Sequence, residues 1–284
     1  MPSVANLMVD SADRVGNPET SPWSFTITKK NNLQNGFFTR VAATEMVLEW
    51  CNPNISLPLG NSIWTIDISG TGANTYVAND LSGNIPNSFY TVEEAVDTLV
   101  ADLNALSGTT GATFSVVQTN PGVRIDCSGA DFVFADSGLG EILELNPTQS
   151  PELVPFVPVG VCPDLRPYRY LDFVSEQLTY AQDVKDAATN AFNRNVLLRW
   201  YFSEDVPEQY DGYGYPILMG YKPFNRRRLY NPPKQIRWNA NLPMGNLEFQ
   251  VYGNDNQIVT AADFTGAGLK SESNWLMTLQ LSEI

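Results

Sequence analysis

Three aspartates spaced five residues apart, Asp126, Asp131 and Asp136, come nearest to a candidate catalytic or calcium-binding set. A pair of carboxylates can act as general acid and base, and several carboxylate oxygens can hold Ca²⁺. These three lack the spacing of a calcium-binding loop and fall on predicted strands or turns. We therefore interpret them as solvated side chains, because exposed aspartate is common. We expect no catalytic residue, no cofactor and no metal site.

The chain contains no histidine, and this excludes several kinds of site. Ser-His-Asp catalysis, Cys-His catalysis, histidine-ligated metals and histidine pH switches all need that side chain. The three cysteines, Cys51, Cys127 and Cys162, are widely spaced and form no CxxC pair. Buried thiols are therefore favoured over a disulfide framework or a zinc site. A carboxylate-dependent glycoside hydrolase stays open as an alternative, but no motif supports it.

The charge balance makes nucleic acid an unfavourable partner. Seventeen basic and thirty-one acidic residues give a formal net charge of −14, so we expect no direct nucleic-acid binding. Against this background the triplet Arg226, Arg227 and Arg228 is a candidate subunit interface. An acidic surface of a neighbouring subunit is its favoured partner, and simple solvation of the triplet is the alternative.

A loop rich in tyrosine and glycine, YDGYGY, is the second candidate site. Tyr210, Tyr213 and Tyr215 form a candidate surface-recognition loop, because tyrosine offers amphipathic contact area to sugars or to protein partners. The alternative is a loop packed on its own domain. The glycine pairs at 70–72 and 108–111 resemble phosphate-binding loops only superficially, and we interpret them as hairpin turns.

The elements that must position these side chains are mostly strands. The clearest is 274–281, where apolar residues alternate and no charge, proline or glycine occurs, so we predict that it lies inside a sheet. The segment 195–202 is predicted to be the next clearest interior strand. Further strands are predicted at 23–28, 37–50, 169–174, 235–239 and 247–252, with weaker extended segments at 153–161 and 217–221.

Residues 57–146 are predicted to be a small α+β domain inserted between strands. A helix should begin after Thr91, which forms a capping box with Glu94, and end at Ser107. Strands are predicted on both sides of it, at 63–68, 75–78, 113–118 and 123–127, and a short helix at 139–145. Residues 1–22 are predicted to be an N-terminal arm.

About eight strands remain in residues 23–56 and 147–284, with long connections and no βαβ alternation. This predicts a mainly β fold, a single jelly-roll β-sandwich that carries the inserted α+β domain. No apolar run approaches the roughly 20 residues that span a bilayer, and the start of the chain lacks a signal-peptide pattern. We expect no membrane span, and folding inside a cell under reducing conditions.

Several stretches, taken in order, resemble one protein family. They are DSADR, WSFTIT, SFYTVEEAVDTLVADLN, YLDFVSEQLT, RNVLLRWYF, LEFQVYGNDNQIVTAADF and WLMTLQLSE. Together they resemble the penton, or minor capsid, proteins of virophages and polinton-like double-stranded DNA viruses, over nearly the whole chain. The arginine triplet and the YDGYGY loop match nothing in that pattern.

The resemblance implies a viral structural protein that is not an enzyme. It implies a homopentamer at the icosahedral vertices of the virion capsid, in contact with the double-jelly-roll major capsid protein. Other minor capsid proteins are further candidate partners, and the protein would be made and assembled inside the infected host cell. A carbohydrate- or receptor-binding jelly-roll protein is the alternative function.

Overall fold

The computed structural model describes most of the chain, in fourteen segments. These are residues 4–14, 21–28, 40–70, 79–107, 112–119, 122–128, 130–134, 138–145, 152–154, 163–179, 196–202, 209–237, 246–259 and 273–282. The predicted strand at 75–78, the glycine turn at 108–111, Asp136 and Cys162 lie outside these segments, as does most of the extended stretch at 153–161.

Strands dominate the described segments. They are β1 Val4–Asp10, β2 Ser24–Thr28, β3 Arg40–Trp50, β4 Ile63–Gly70, β5 Asn79–Asn84, β6 Thr113–Gln118, β7 Val123–Ser128, β8 Ala130–Phe134, β9 Glu152–Val154, β10 Tyr170–Val174, β11 Val196–Tyr201, β12 Phe224–Leu229, β13 Gln235–Arg237, β14 Asn246–Gly253 and β15 Asn274–Ser282. The helices are α1 Val92–Ser107, α2 Leu139–Ile142 and α3 Glu176–Thr179.

Two antiparallel sheets enclose the first hydrophobic core. The larger has the order β1-β15-β3-β12, and β13 also pairs with β3; the smaller has the order β11-β10-β14-β2. Alternate side chains of both sheets point inward, as expected for a β-sandwich. Four fully buried tryptophans, Trp23, Trp50, Trp200 and Trp275, belong to this core. The mainly β class predicted from the sequence is confirmed.

The strand β15 lies inside the larger sheet, as predicted. It pairs with β1 on one side and with β3 on the other. Its alternate side chains from Trp275 to Leu281 are buried. The ring of Trp275 reaches the opposite sheet, where its centroid lies 5.4 Å from that of Phe25 and 5.2 Å from that of Phe173. This strand therefore connects the two sheets through their shared core.

The start of the chain differs from the prediction of an arm over residues 1–22. Val4–Asp10 is the strand β1, which pairs with β15 along its whole length. Leu7 and Val9 are buried in the first core. The alternation of buried and exposed residues here spans only a few positions. By itself it is therefore weak evidence for a strand, and the pairing with β15 is what identifies it.

Two further predictions are wrong. The strand β11 was expected inside a sheet, but among the described strands it pairs only with β10 and forms an edge. Side chains cover that edge instead: Lys234 Nζ donates to the Val196 carbonyl oxygen at 2.8 Å, and Arg228 lies over the ring of Trp200. The segment 217–221 forms a turn, closed by a hydrogen bond from Tyr221 N to Leu218 O, and not a strand.

A second core forms around α1. The helix packs with two three-stranded sheets, β5-β4-β8 and β6-β7-β9. The predicted capping box is confirmed, because Glu94 N donates to Thr91 Oγ1 at 3.2 Å and Thr91 N donates to Glu94 Oε2 at 2.9 Å. The apolar face of α1, which includes Leu99 and Leu103, is buried. The sequence pattern therefore located this helix and its first turn.

The second core uses residues beyond 57–146. The strand β9, Glu152–Val154, pairs with β7 at a sheet edge. Leu165, Tyr215 and Tyr221 are also buried in this core, although they lie much later in the chain. The Tyr221 hydroxyl accepts a hydrogen bond from Leu165 N at 3.0 Å, which holds these late segments together. A local sequence pattern does not contain such long-range contacts.

Candidate assembly surface

The predicted arginine triplet lies on β12, at one edge of the larger sheet. Among the described strands β12 pairs only with β3. Successive residues of a strand point to opposite faces, so the triplet is divided. Arg227 points outward, and its Nε forms an ion pair with Glu45 Oε1 of β3.

Arg226 and Arg228 point to the other face of the sheet. They lie opposite Leu48 and Met46, which are buried in the first core. The guanidinium carbon of Arg228 lies 4.2 Å from the ring centroid of Trp200 in the opposite sheet. A cation over an indole face is a favourable contact. Arg228 therefore closes the margin between the sheets, while Arg226 is exposed.

The strand β13 continues the same edge. Thr44 is an extra residue in β3, where the register between β3 and β15 shifts. Tyr230 N donates to the Thr44 carbonyl oxygen at 2.9 Å, just after the pairing with β12 ends. Beyond this bulge β3 pairs with β13, and Arg237 lies opposite Arg40. Two short strands, β12 and β13, thus share one edge of β3, one on each side of Thr44.

Residues 222–237, which include β12 and β13, form what we call the basic edge. This segment holds six lysine and arginine residues and no acidic residue. The other 268 residues carry eleven basic and thirty-one acidic side chains. In the sequence the triplet stands out as a run of charge, and a count of charges over a wider window identifies the whole segment.

Lys234 connects the basic edge to the smaller sheet. Burial lowers the pKa of Lys234; the charge of Asp172 opposes this shift, and the charge of Arg199 adds to it. Arg199 itself forms a two-point ion pair with Asp172, at 2.6 and 2.8 Å, on the outer side of that sheet. Its hydrogen bonds to Asp172 raise the pKa of Arg199. Arg199 therefore stays charged, and Asp172 is its counter-ion.

The opposite edge of the larger sheet is chemically different. The strand β1 carries no charge from Val4 to Val9. Val4 and Met8 project outward and are 55% and 62% exposed. One edge of the sheet is therefore apolar, and the other is basic. Two unlike edges are what a head-to-tail contact between copies requires.

The tyrosine loop packs on the helix of the second core. Tyr215 is fully buried, and the Tyr213 hydroxyl donates to Asp97 Oδ1 of α1 at 2.6 Å. Burial and this hydrogen bond raise the pKa of Tyr213. Tyr210 is 64% exposed, so it is the member of the predicted set that is open to a partner. The packing fits the alternative of a loop that contributes to its own domain.

Asp211 fixes this loop to the first turn of α1. Its Oδ2 accepts from Glu93 N at 3.0 Å, and its Oδ1 accepts from Tyr215 N at 2.8 Å. Glu93 Oε2 in turn accepts from Gly212 N at 2.6 Å. Burial raises the pKa of Asp211, and the charge of Glu93 adds to the rise. The two carboxylates thus satisfy backbone donors of the helix and the loop.

The aspartates considered first are not assembled into a site. Asp126 forms a two-point ion pair with Arg124, at 2.6 and 2.8 Å, and the side chains of Asp131 and Asp136 lie outside the described part. Within the described segments no three Cys, Asp or Glu side chains gather as metal ligands would. Cys51 and Cys127 are partly exposed and not buried as predicted. No helix in these segments combines the length and apolarity that a bilayer span needs.

Comparison with known proteins gives a likeness in fold. No protein-family model matches the chain, and no curated protein matches it. The crystal structure of the mavirus penton protein is similar, with a TM-score of 0.51 and 13% sequence identity over 100% of both chains. At this identity the likeness shows a fold shared with a protein of the family that the sequence resembles.

A second similar structure is the cryo-EM structure of the Sputnik virophage. The identity is 10%, over 99% of this chain and 98% of that chain. The TM-score is 0.46.

Proposed function

We propose that this chain is a penton, or minor capsid, protein of a virophage or polinton-like virus. In this role it forms homopentamers at the icosahedral vertices of the virion and contacts the double-jelly-roll major capsid protein. The observation that carries the proposal is the fold likeness to the mavirus penton protein, which extends over the full length of both chains. The proposed mechanism is assembly and needs no catalytic group.

The architecture that goes with this function is a single jelly roll with an inserted α+β domain. Two separate hydrophobic cores support it. The first core lies between the five-stranded and four-stranded sheets, and α1 with the two small sheets surrounds the second. In the chain, β4 to β9 and α1 all fall between β3 and β10, as expected for an insertion between two strands of a sandwich.

The subunit contacts are proposed at the two edges of the larger sheet. A closed ring needs two different surfaces on each copy, because its contacts are heterologous. The basic edge, with Arg226, Arg227 and Arg228, is one such surface and is proposed to meet an acidic surface of the neighbouring copy; the apolar edge at β1 is a second, separate contact surface. At the basic edge Arg226 is exposed to a partner, whereas Arg227 is already paired with Glu45.

Charge determines when such a ring is stable. Five copies of formal charge −14 carry about −70 in total. Repulsion between them is screened beyond a Debye length of about 30 Å at 0.01 M salt and about 3 Å at 1 M. We therefore expect the amount of pentamer to depend on ionic strength.

Sedimentation velocity of the purified protein across this range of NaCl concentrations tests the proposal. The expected result is a species of five times 31.4 kDa over part of the range, with five-fold rings in electron micrographs. A monomer at every salt concentration, together with absence of the chain from purified particles, would contradict the proposed function.

A further inference from the structure

A groove at the end of the basic edge brings two arginines together. Arg237 of β13 and Arg40 of β3 are direct partners across the strand pair. Both point to the outer face, because their neighbours Ile236 and Val41 are buried in the first core. The groove has a volume of about 450 Å³ and is lined by Arg40, Gln235, Ile236 and Arg237. Because Gln235 shares this outer face with Arg237, the groove is polar and cationic.

The two guanidinium groups lack an anionic partner within the described residues. Arg40 Nη1 donates to the neutral Gln235 Oε1 at 2.7 Å, and neither Arg40 nor Arg237 forms an ion pair there. Other arginines of this acidic chain do pair with carboxylates; these are Arg124, Arg166, Arg169, Arg199 and Arg227. Like charges directly opposite each other on adjacent strands, with Cβ atoms about 5 Å apart, destabilise a sheet.

An anion between the two arginines would remove this cost. Guanidinium groups bind carboxylates through two parallel hydrogen bonds, which adds both strength and direction. We propose that the groove binds the carboxylates of an acidic segment on an adjacent copy of this chain. This proposal rests on the proposed homopentamer, and it specifies that the basic edge binds carboxylates.

Charge complementarity is the reason to choose a second copy as the occupant. The basic edge has six positive charges and no negative charge, whereas the rest of each chain has a net charge of −20. Each copy therefore carries both a cationic edge and, elsewhere in its sequence, an excess of carboxylates. A contact between them also reduces the repulsion that five acidic chains would otherwise experience.

Binding of a fluorescein-labelled hexaglutamate peptide to the full-length protein, followed by fluorescence anisotropy, tests the groove. The variant Arg40→Gln/Arg237→Gln should bind about tenfold more weakly or worse. The control Arg124→Gln/Arg169→Gln has the same change of charge at arginines of other strands and loops and should stay within about twofold of the original chain. Near-UV circular dichroism of each variant verifies that it is folded.

Several outcomes would overturn the inference. Equal loss in both double variants would mean that only net charge matters. A labelled dT12 oligonucleotide that binds more tightly than hexaglutamate would assign the groove to phosphate. Peptide binding that appears only after Glu283→Gln would assign it to the chain's own acidic residue next to β15.

Sedimentation of the same variants separates this inference from the proposed function. Pentamers of the original chain that weaken in Arg40→Gln/Arg237→Gln, and not in the control, support both. Pentamers that persist unchanged in Arg40→Gln/Arg237→Gln would overturn the second copy as occupant but leave the penton function standing. Absence of pentamers in the original chain, together with its absence from purified particles, would contradict the penton function, while the peptide assay would still report on the groove.

Discussion

The side-chain amide of Asn54 forms two hydrogen bonds with the backbone of Tyr90. Asn54 Nδ2 donates to the Tyr90 carbonyl oxygen, and Tyr90 N donates to Asn54 Oδ1, both at 2.8 Å. Asn54 is completely buried, and it lies where the chain passes from β3 of the first core to the second core. One amide thus joins the start of the second core to the residue that precedes the α1 capping box.

The change Asn54→Asp should strongly destabilise this junction. The carboxylate cannot donate to the Tyr90 carbonyl oxygen, and a buried charge would face that oxygen. We expect a loss of about 3 kcal/mol in the free energy of unfolding, measured by urea denaturation. The exposed Asn6→Asp on β1 is the control and should change it by less than about 0.5 kcal/mol. Equal effects of the two changes would contradict the role of the amide.

The indole of Trp275 provides a second test, within the first core. Its Nε1 donates to the Pro22 carbonyl oxygen at 2.8 Å, whereas the Nε1 atoms of Trp23 and Trp50 have no hydrogen-bond partner in the described part of the chain. Trp275→Phe should therefore cost about 1–3 kcal/mol more than Trp50→Phe, because it also leaves a buried carbonyl unsatisfied. Thermal and urea unfolding of both variants measure the difference; equal losses would show that only ring volume matters.

The loop on α1 should give the protein a specific pH dependence. The pKa of Asp211 is higher in the folded chain than in the unfolded chain, where it is about 3.9. Between these two pKa values the folded state therefore binds more protons than the unfolded state. The contribution of Asp211 to stability falls as pH rises from the lower value to the higher. As pH rises above about 4, the original chain should lose more stability than Asp211→Asn.

Urea denaturation at a series of pH values measures this difference. Parallel stability profiles for the two proteins would contradict it. Glu93→Gln is the companion variant, because it removes the neighbouring charge that helps to raise the pKa of Asp211. It should make the pH dependence smaller without removing the carboxylate itself.

Arg226 and Arg228, on the same face of β12, should differ in their effect on Trp200. Arg228→Ala uncovers the indole and removes a cation–π contact, so we expect a loss of about 1 kcal/mol and stronger quenching of tryptophan fluorescence by acrylamide. Arg226→Ala removes the same side chain from an exposed position on the same face. It should leave the quenching unchanged, and similar quenching in both variants would show that Arg228 does not cover Trp200.

The sequence was sufficient where the signal is local. The uninterrupted alternation of 274–281 located β15, and the spacing of Thr91 and Glu94 located the start of α1. The strand β1 was missed, because its inward pair, Leu7 and Val9, is too short a pattern without the partner strand. Edge or interior position is likewise a property of the sheet, which is why β11 was misjudged.

The candidate site was predictable only in part. The arginine triplet was found as a run of charge, but its division between two faces depends on the register with β3. The groove depends on Arg40 and Arg237, which are far apart in sequence and meet only because β13 pairs beyond the bulge at Thr44. The burial of Tyr215 follows from contacts between the loop and α1. None of these long-range relationships produces a pattern that can be detected in a short window of sequence.

The position of β15 has a consequence for synthesis. It is the last of the described strands to leave the ribosome, yet it separates β1 from β3. Until β15 emerges, the strand that lies between the apolar edge at β1 and the basic edge is missing from the larger sheet. Products of translation that stops before β15 would therefore lack the two edges that we propose for ring contacts, and we expect them to be excluded from the particle.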